Sequence, residues 1–318
     1  MADQLRLEDL RVHALTTIGS AKENLGDMTG REDLERAVEI GRAANSPMTA
    51  GALNNLGVVI DTIDVRRVQT LYREGIREAE RFGDLRLLRF LRGNIIPTNW
   101  ILGEWDDALA TADDFIAECE QSPHILEGPS RVFRGYIRLA RGHRAEALED
   151  FRRGLELARD AREDPQSLIP ALIRFAWANL QIGRVEEARA AFAEAMPLLE
   201  KHPYARPWAL PEVAVELSET SAVREILAGL PPSPGYKAML ALLDGEFEKA
   251  SELYAEAGIL VFEAEARLRA AEQLLAAGQR AEGEAELERA LSFYRSVGAT
   301  LFVERGEALL ASAQSESA

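Results

Sequence analysis

Cysteine is almost missing from this chain: Cys119 is the single one in 318 residues. An intramolecular disulfide framework is therefore excluded, and a reducing compartment fits best. Long apolar runs are missing too. No stretch approaches the ~18 residues a membrane-spanning helix requires. The first ten residues carry Asp3, Arg6, Glu8 and Asp9 and lack the apolar core of a signal peptide. These features point to a soluble, cytoplasmic protein. Positive charge is in short supply, with 37 Lys and Arg against 53 Asp and Glu and a net charge of -16. Such a polyanion repels phosphate backbones and anionic lipid, which argues against nucleic-acid and membrane partners. Strand signals are nearly absent. Val, Ile and Thr are scattered, and no alternating segment is bounded by Asn-Gly or Asp-Gly.

Catalytic patterns are lacking as well. A phosphate-binding loop needs Gly-x4-Gly-Lys-Ser/Thr so that backbone amides face the phosphates. The nearest segment, Gly229 to Lys237, has the wrong spacing, and its prolines lack amide hydrogens. No Gly-x-Ser-x-Gly elbow occurs. The four histidines, His13, His124, His143 and His202, have no second His or Cys at metal-ligand spacing. Acidic pairs such as Asp106-Asp107 and Glu186-Glu187 fall where helices begin, and there they complement the helix dipole. The expectation is a non-enzyme with no cofactor and no metal.

What is present is a helical period and a repeat. Apolar residues recur at three and four, the mark of amphipathic helices. Leu5, Leu7, Leu10, Val12, Leu15 and Ile18 predict a first helix ending near Gly26. Arg31 to Ala44, Met48 to about Ile63, and Val65 to Arg81 predict the next three. A glycine followed five residues later by a small residue recurs at Gly103/Ala108, Gly142/Ala147, Gly183/Ala188, Gly245/Ala250 and Gly278/Gly283. A bulky residue and another small one follow on the same face, as in Ala147/Phe151/Gly154 and Ala188/Phe192/Ala195. The glycine ends one helix and allows the turn, and the small residue lets the neighbouring helix approach. Further breaks come at Asn45-Ser-Pro, Phe82-Gly-Asp, Glu127-Gly-Pro and Asp164-Pro. Six prolines between Pro203 and Pro234 interrupt the period, and a shortened pair (Trp208 to Leu217, Ala222 to Leu230) fits that gap.

Leu53-Asn-Asn-Leu56-Gly57 in a first helix, with Ala-x3-Phe-x2-Ala in a second, resembles the tetratricopeptide repeat, TPR. Gly19, Gly57, Gly135, Ala176, Ala238 and Ala271 hold the small residue that pattern expects seven before the turn. The resemblance implies an all-α, right-handed superhelical solenoid of antiparallel helix pairs. It would have about seven to eight units plus a C-terminal capping helix. Its layout would be TPR-like pairs over 1–200, a degenerate proline-rich unit over 201–234, further pairs and the capping helix over 235–313, and a polar tail over 314–318. Towards the C-terminus, Ala264 to Leu274, Ala290 to Thr300 and Glu307 to Ala311 resemble the tails of actinobacterial regulators. Those proteins join a cyclase or LuxR-type domain to an ATPase and a TPR-like sensor segment.

In TPR arrays the first helix of each pair lines the concave side. Counting nine back from the turn gives Thr17, Asn55 and Asn94, with Asn54 beside Asn55. In TPR domains that clamp a peptide carboxylate, asparagines at this position bond the peptide backbone. Arg174 and Arg269 hold the same position later in the chain, and Tyr136 and Trp177 lie one turn on. The resemblance thus implies a partner groove lined by Asn54, Asn55, Asn94, Tyr136, Arg174, Trp177 and Arg269. Its occupant would be a protein or peptide segment, making the chain an interaction or scaffolding module. The alternative is a small ligand sensed by the solenoid on behalf of a linked cyclase, ATPase or transcription-factor domain.

Overall fold

A computed structural model describes residues 7–160, 165–203 and 208–315. Among the described residues there are 17 α-helices and no strand. Cα packing divides the chain into two compact units, residues 1–98 and 99–318.

The first unit contains α1 (Glu8–Asn24), α2 (Gly30–Ala44), α3 (Thr49–Val59), α4 (Val65–Phe82) and most of α5 (Leu85–Ile101). Leu5 lies outside the described residues. Helix α3 stops at Val59, short of the expected Ile63, because α4 brings its own cap. The Asp64 carboxylate accepts from the Arg67 amide at 3.0 Å, and residues 60–63 make the turn into it. The pairs are held by an interior of Val12, Leu34, Leu53, Leu56, Tyr72 and Leu91, all at most 4% exposed. Gly57 has a packing reason: a Cβ there would sit 2.5 Å from the Tyr72 ring.

The second unit continues with α6 (Trp105–Gln121), α7 (Glu127–Ala140), α8 (Arg144–Asp160), α9 (Pro165–Gln181) and α10 (Val185–Lys201). Within the proline-rich stretch lie α11 (Leu210–Leu217) and α12 (Thr220–Ala228), both short. Then follow α13 (Pro234–Leu243), α14 (Phe247–Ala257), α15 (Leu260–Ala276), α16 (Arg280–Ser296) and α17 (Thr300–Ser315). Asp164, Pro207 and residues 316–318 of the expected tail lie outside the described residues. Gln314 and Ser315 belong to α17, so that helix runs slightly past the expected boundary. The repeat glycine Gly103 adopts φ +78°, a conformation that favours glycine, and the other four repeat glycines share it. Acidic residues open the second helices, as Asp106-Asp107 in α6 and Glu186-Glu187 in α10.

Within this unit the first helices of the pairs do more than pack on their partners. The Trp100 ring stacks on Tyr136 at 4.8 Å, Tyr136 meets Trp177 at 4.5 Å, and Trp177 meets Phe302 at 6.4 Å. Phe262 lies 5.7 Å from both Trp100 and Trp208. Arg141 after α7 donates to the Val297 carbonyl at 3.1 and 3.0 Å, 156 residues away. The inner faces of α7, α9, α15 and α17 therefore converge on one aromatic interior.

Candidate functional site

The predicted inner-face positions end up in two different environments. In the first unit Asn54 and Asn55 of α3 and Asn94 of α5 form a ladder that Ser20 extends to α1. The Asn94 Nδ2 donates to Asn54 Oδ1 at 3.0 Å, Asn54 Nδ2 to Asn55 Oδ1 at 3.0 Å, and Asn55 Nδ2 to Ser20 Oγ at 2.9 Å. The Ser20 hydroxyl donates to the Thr16 carbonyl at 2.9 Å, closing the chain of bonds on α1. All three asparagines are half-buried. The ladder uses one N–H of each carboxamide; a second donor on each is left by the chemistry of the group.

Asn54 and Asn55 line a concave pocket of about 410 Å³ that lies within the first unit. Its polar side is completed by Thr16 and Thr17, with His13 and Arg86 at the exposed rim. Its apolar side is Pro47, Met48, Leu87 and Phe90, and Met48 is 38% exposed. Asp84, at the start of α5, accepts from the Leu87 amide at 2.9 Å and so fixes where that helix begins. Sequence reasoning missed His13, Gly51, Arg86 and Phe90. A signal for them existed: each stands four or eight residues before Thr17, Asn55 or Asn94, one or two turns along the same helix face.

In the second unit the expected groove residues lie inside. Tyr136 is 3%, Trp177 5%, Arg174 8% and Arg269 8% exposed. They do not line an open face: Trp177 packs on Tyr136 and on Phe302 of α17, Arg174 on Phe133 of α7, and Arg269 on Glu216 of α11. The void beside Tyr136, Trp177 and Glu265 measures only about 20 Å³, room for about one water. Arg174 lays its guanidinium over the Phe133 ring at 4.5 Å. Arg269 pairs with Glu216 at 2.5 Å and with Glu265 at 3.8 Å.

Burial sets the charge states here. It pushes the Tyr136 hydroxyl far above its ordinary range and lowers the Arg174 guanidinium from its own. The Glu212 carboxyl is raised to about 8, first by burial and then by the facing Glu265, itself raised by burial. For Arg269, burial opposes the charge, but Glu265 and Glu216 outweigh it and the pKa rises. Among the described residues, no group of three or more His, Cys, Asp or Glu side chains is placed to hold a metal ion. No described helix is long and apolar enough to cross a membrane.

No family model matches the chain, and no curated protein matches it by sequence. Solved structures do match. The crystal structure of a Rap protein complexed with Competence and Sporulation Factor aligns at TM-score 0.51 and 12% identity. That match covers 98% of this chain and 100% of the other. The fold is TPR-like. The apo quorum sensor NprR from B. thuringiensis aligns at TM-score 0.45 and 13% identity, covering 83% of this chain and 70% of the other. Yeast Tom70 aligns at TM-score 0.34 and 14% identity, covering 97% and 84%.

Proposed function

We propose that this chain is a non-catalytic TPR-like interaction module that holds an extended protein segment on the inner face of residues 1–98. The observation that carries the reading is the carboxamide ladder along the wall of the 410 Å³ pocket, with an apolar side opposite. An extended peptide presents a backbone N–H and C=O at every residue. The Asn54 and Asn55 carboxamides in that wall, held from behind by Asn94, match that repeat, and Met48, Leu87 and Phe90 offer an apolar seat for a side chain. The Rap structure was solved complexed with a factor, which agrees with a holding role for this fold. The likeness of the C-terminal segments to regulator tails supports a place in a signalling protein.

A second reading has its own support. A volume of 410 Å³ falls in the range of small-ligand sites, so the same pocket suits a metabolite sensed for a linked regulatory domain.

The test is a display library of random 12-residue peptides panned against the wild type, with binding measured by calorimetry. Selected peptides should lose at least tenfold in affinity in an Asn55→Ala/Asn94→Ala variant. Equal affinity for both proteins would sink the peptide reading. A metabolite panel read by thermal shift addresses the second, because a ligand of the folded state raises Tm by mass action.

A further inference from the structure

Glu212 is the third residue of α11 and only 1% exposed, yet no other residue gives either of its carboxylate oxygens a hydrogen bond. The groups around it do not compensate. Helix α15 presents Glu265, a second buried carboxyl, and Arg269. Arg269 is already shared between Glu216 of α11 itself and Glu265. Tyr136 on α7 and Tyr254 on α14 face the same place, both fully buried, and Arg174 on α9 stands next to Tyr136. From α10 and α12, Arg189 and Arg224 are committed at the surface to Glu219 and Asp244. On α13, Lys237 is exposed. Buried here without a partner, an ionised carboxylate is far costlier than a neutral carboxyl.

The helix that carries Glu212 is short and sharply bounded. It has eight residues and is bracketed by Ala209 at φ +69° and Ser218 at φ +60°. These are two of the three non-glycine residues with positive φ among the described residues. A side chain in that region costs energy that only the surroundings offset. What seats it is mainly apolar: Leu210, Val213, Ala214 and Leu217 are at most 3% exposed, Trp208 stacks on Phe262 at 5.7 Å, and Glu216 bonds Arg269.

We infer that α11 is a proton-dependent latch: seated on α9, α13 and α15 while Glu212 is neutral, it is released when Glu212 ionises. The proton goes to solvent, and the carboxylate gains hydration it cannot find inside. Release withdraws Trp208 from Phe262 and opens the interior around Tyr136 and Arg174. The closed inner face of the second unit becomes accessible only in the deprotonated state. The latch is independent of the peptide reading, since it involves the second unit alone and its test uses no peptide.

Tryptophan emission and acrylamide quenching of the full chain between pH 5.5 and 9 test this. The wild type should show a reversible red shift and at least a twofold rise in quenching on the alkaline side. Trp208→Phe should remove most of that change, and Glu212→Gln should keep the acid-side signal throughout. A flat wild-type profile, or the same transition in Glu212→Gln, overturns the latch. Glu265→Gln keeps the question open to decision if Glu212→Gln fails to fold. Removing the facing carboxyl should move the midpoint down by at least half a pH unit, and an unmoved midpoint also overturns the inference.

Discussion

A carboxamide that both gives and takes a hydrogen bond is harder to replace than one that does only one of these. Asn54 accepts from Asn94 and donates to Asn55, whereas Asn94 only donates within the ladder. At about 0.5–1.5 kcal/mol for each net bond, Asn54→Ala should destabilise more than Asn94→Ala. A double-mutant cycle on the two, read by denaturant melts, should show a coupling of about 0.5 kcal/mol or more. Zero coupling would mean the amides do not bond one another. Glu212 gives a prediction of opposite sign for stability. Its carboxyl binds a proton in the folded state up to about pH 8, but in the unfolded chain only up to about 4.5. The folded state therefore holds the extra proton in that window, and stability falls as pH rises through it. Glu212→Gln removes this slope, so the variant should melt higher than the wild type at pH 8 and by a smaller margin at pH 5. Equal differences at both pH values would show that Glu212 does not titrate in that window.

At the scale of helix pairs, much of the packing was legible from one-dimensional spacing. The turn glycines, the acidic first turns and small residues such as Gly57 and Ala147 do what a repeated pair requires. The register also picked out Asn55, which lines a pocket, and Asn94, which bonds the neighbouring Asn54. It could not say which of the expected positions would be covered, because the contacts that bury Trp177 and Arg269 join residues far apart in the chain, such as Trp177 with Phe302 and Arg269 with Glu216. The pairing of α7 with α8 offers a direct test. Asp150, 2% exposed on its side chain, receives Arg134 through two bonds at 2.9 and 2.5 Å and Arg138 through one at 2.9 Å. Asp150→Ala leaves the half-buried Arg134 with only the exposed Asp113 and should cost on the order of 3–5 kcal/mol. Ala188→Leu, at a fully buried site in α10, should cost about 1–3 kcal/mol by overpacking. A melt in which Ala188→Leu lowers Tm more than Asp150→Ala would reverse the assigned order of polar and apolar contributions.

Over the whole molecule the charge is unevenly divided. Residues 1–98 carry 14 basic and 15 acidic residues, whereas residues 99–318 carry 23 and 38. Nearly all of the -16 therefore belongs to the second unit, while the unit with the asparagine-lined pocket is close to neutral. A field of this size acts on approach more than on the final contacts, because long-range attraction raises encounter rates and salt screens it within about 10 Å at 0.1 M. Two versions of one selected peptide, flanked by lysines or by aspartates outside the bound segment, separate the two effects. Stopped-flow association of the lysine version should be faster by about tenfold at 20 mM salt and converge on the aspartate version near 500 mM. Their dissociation rates should stay close to each other throughout, since the flanks do not enter the pocket. Equal association rates at low salt would mean that the acidic unit exerts no steering, and the neutral character of residues 1–98 would then govern encounter alone.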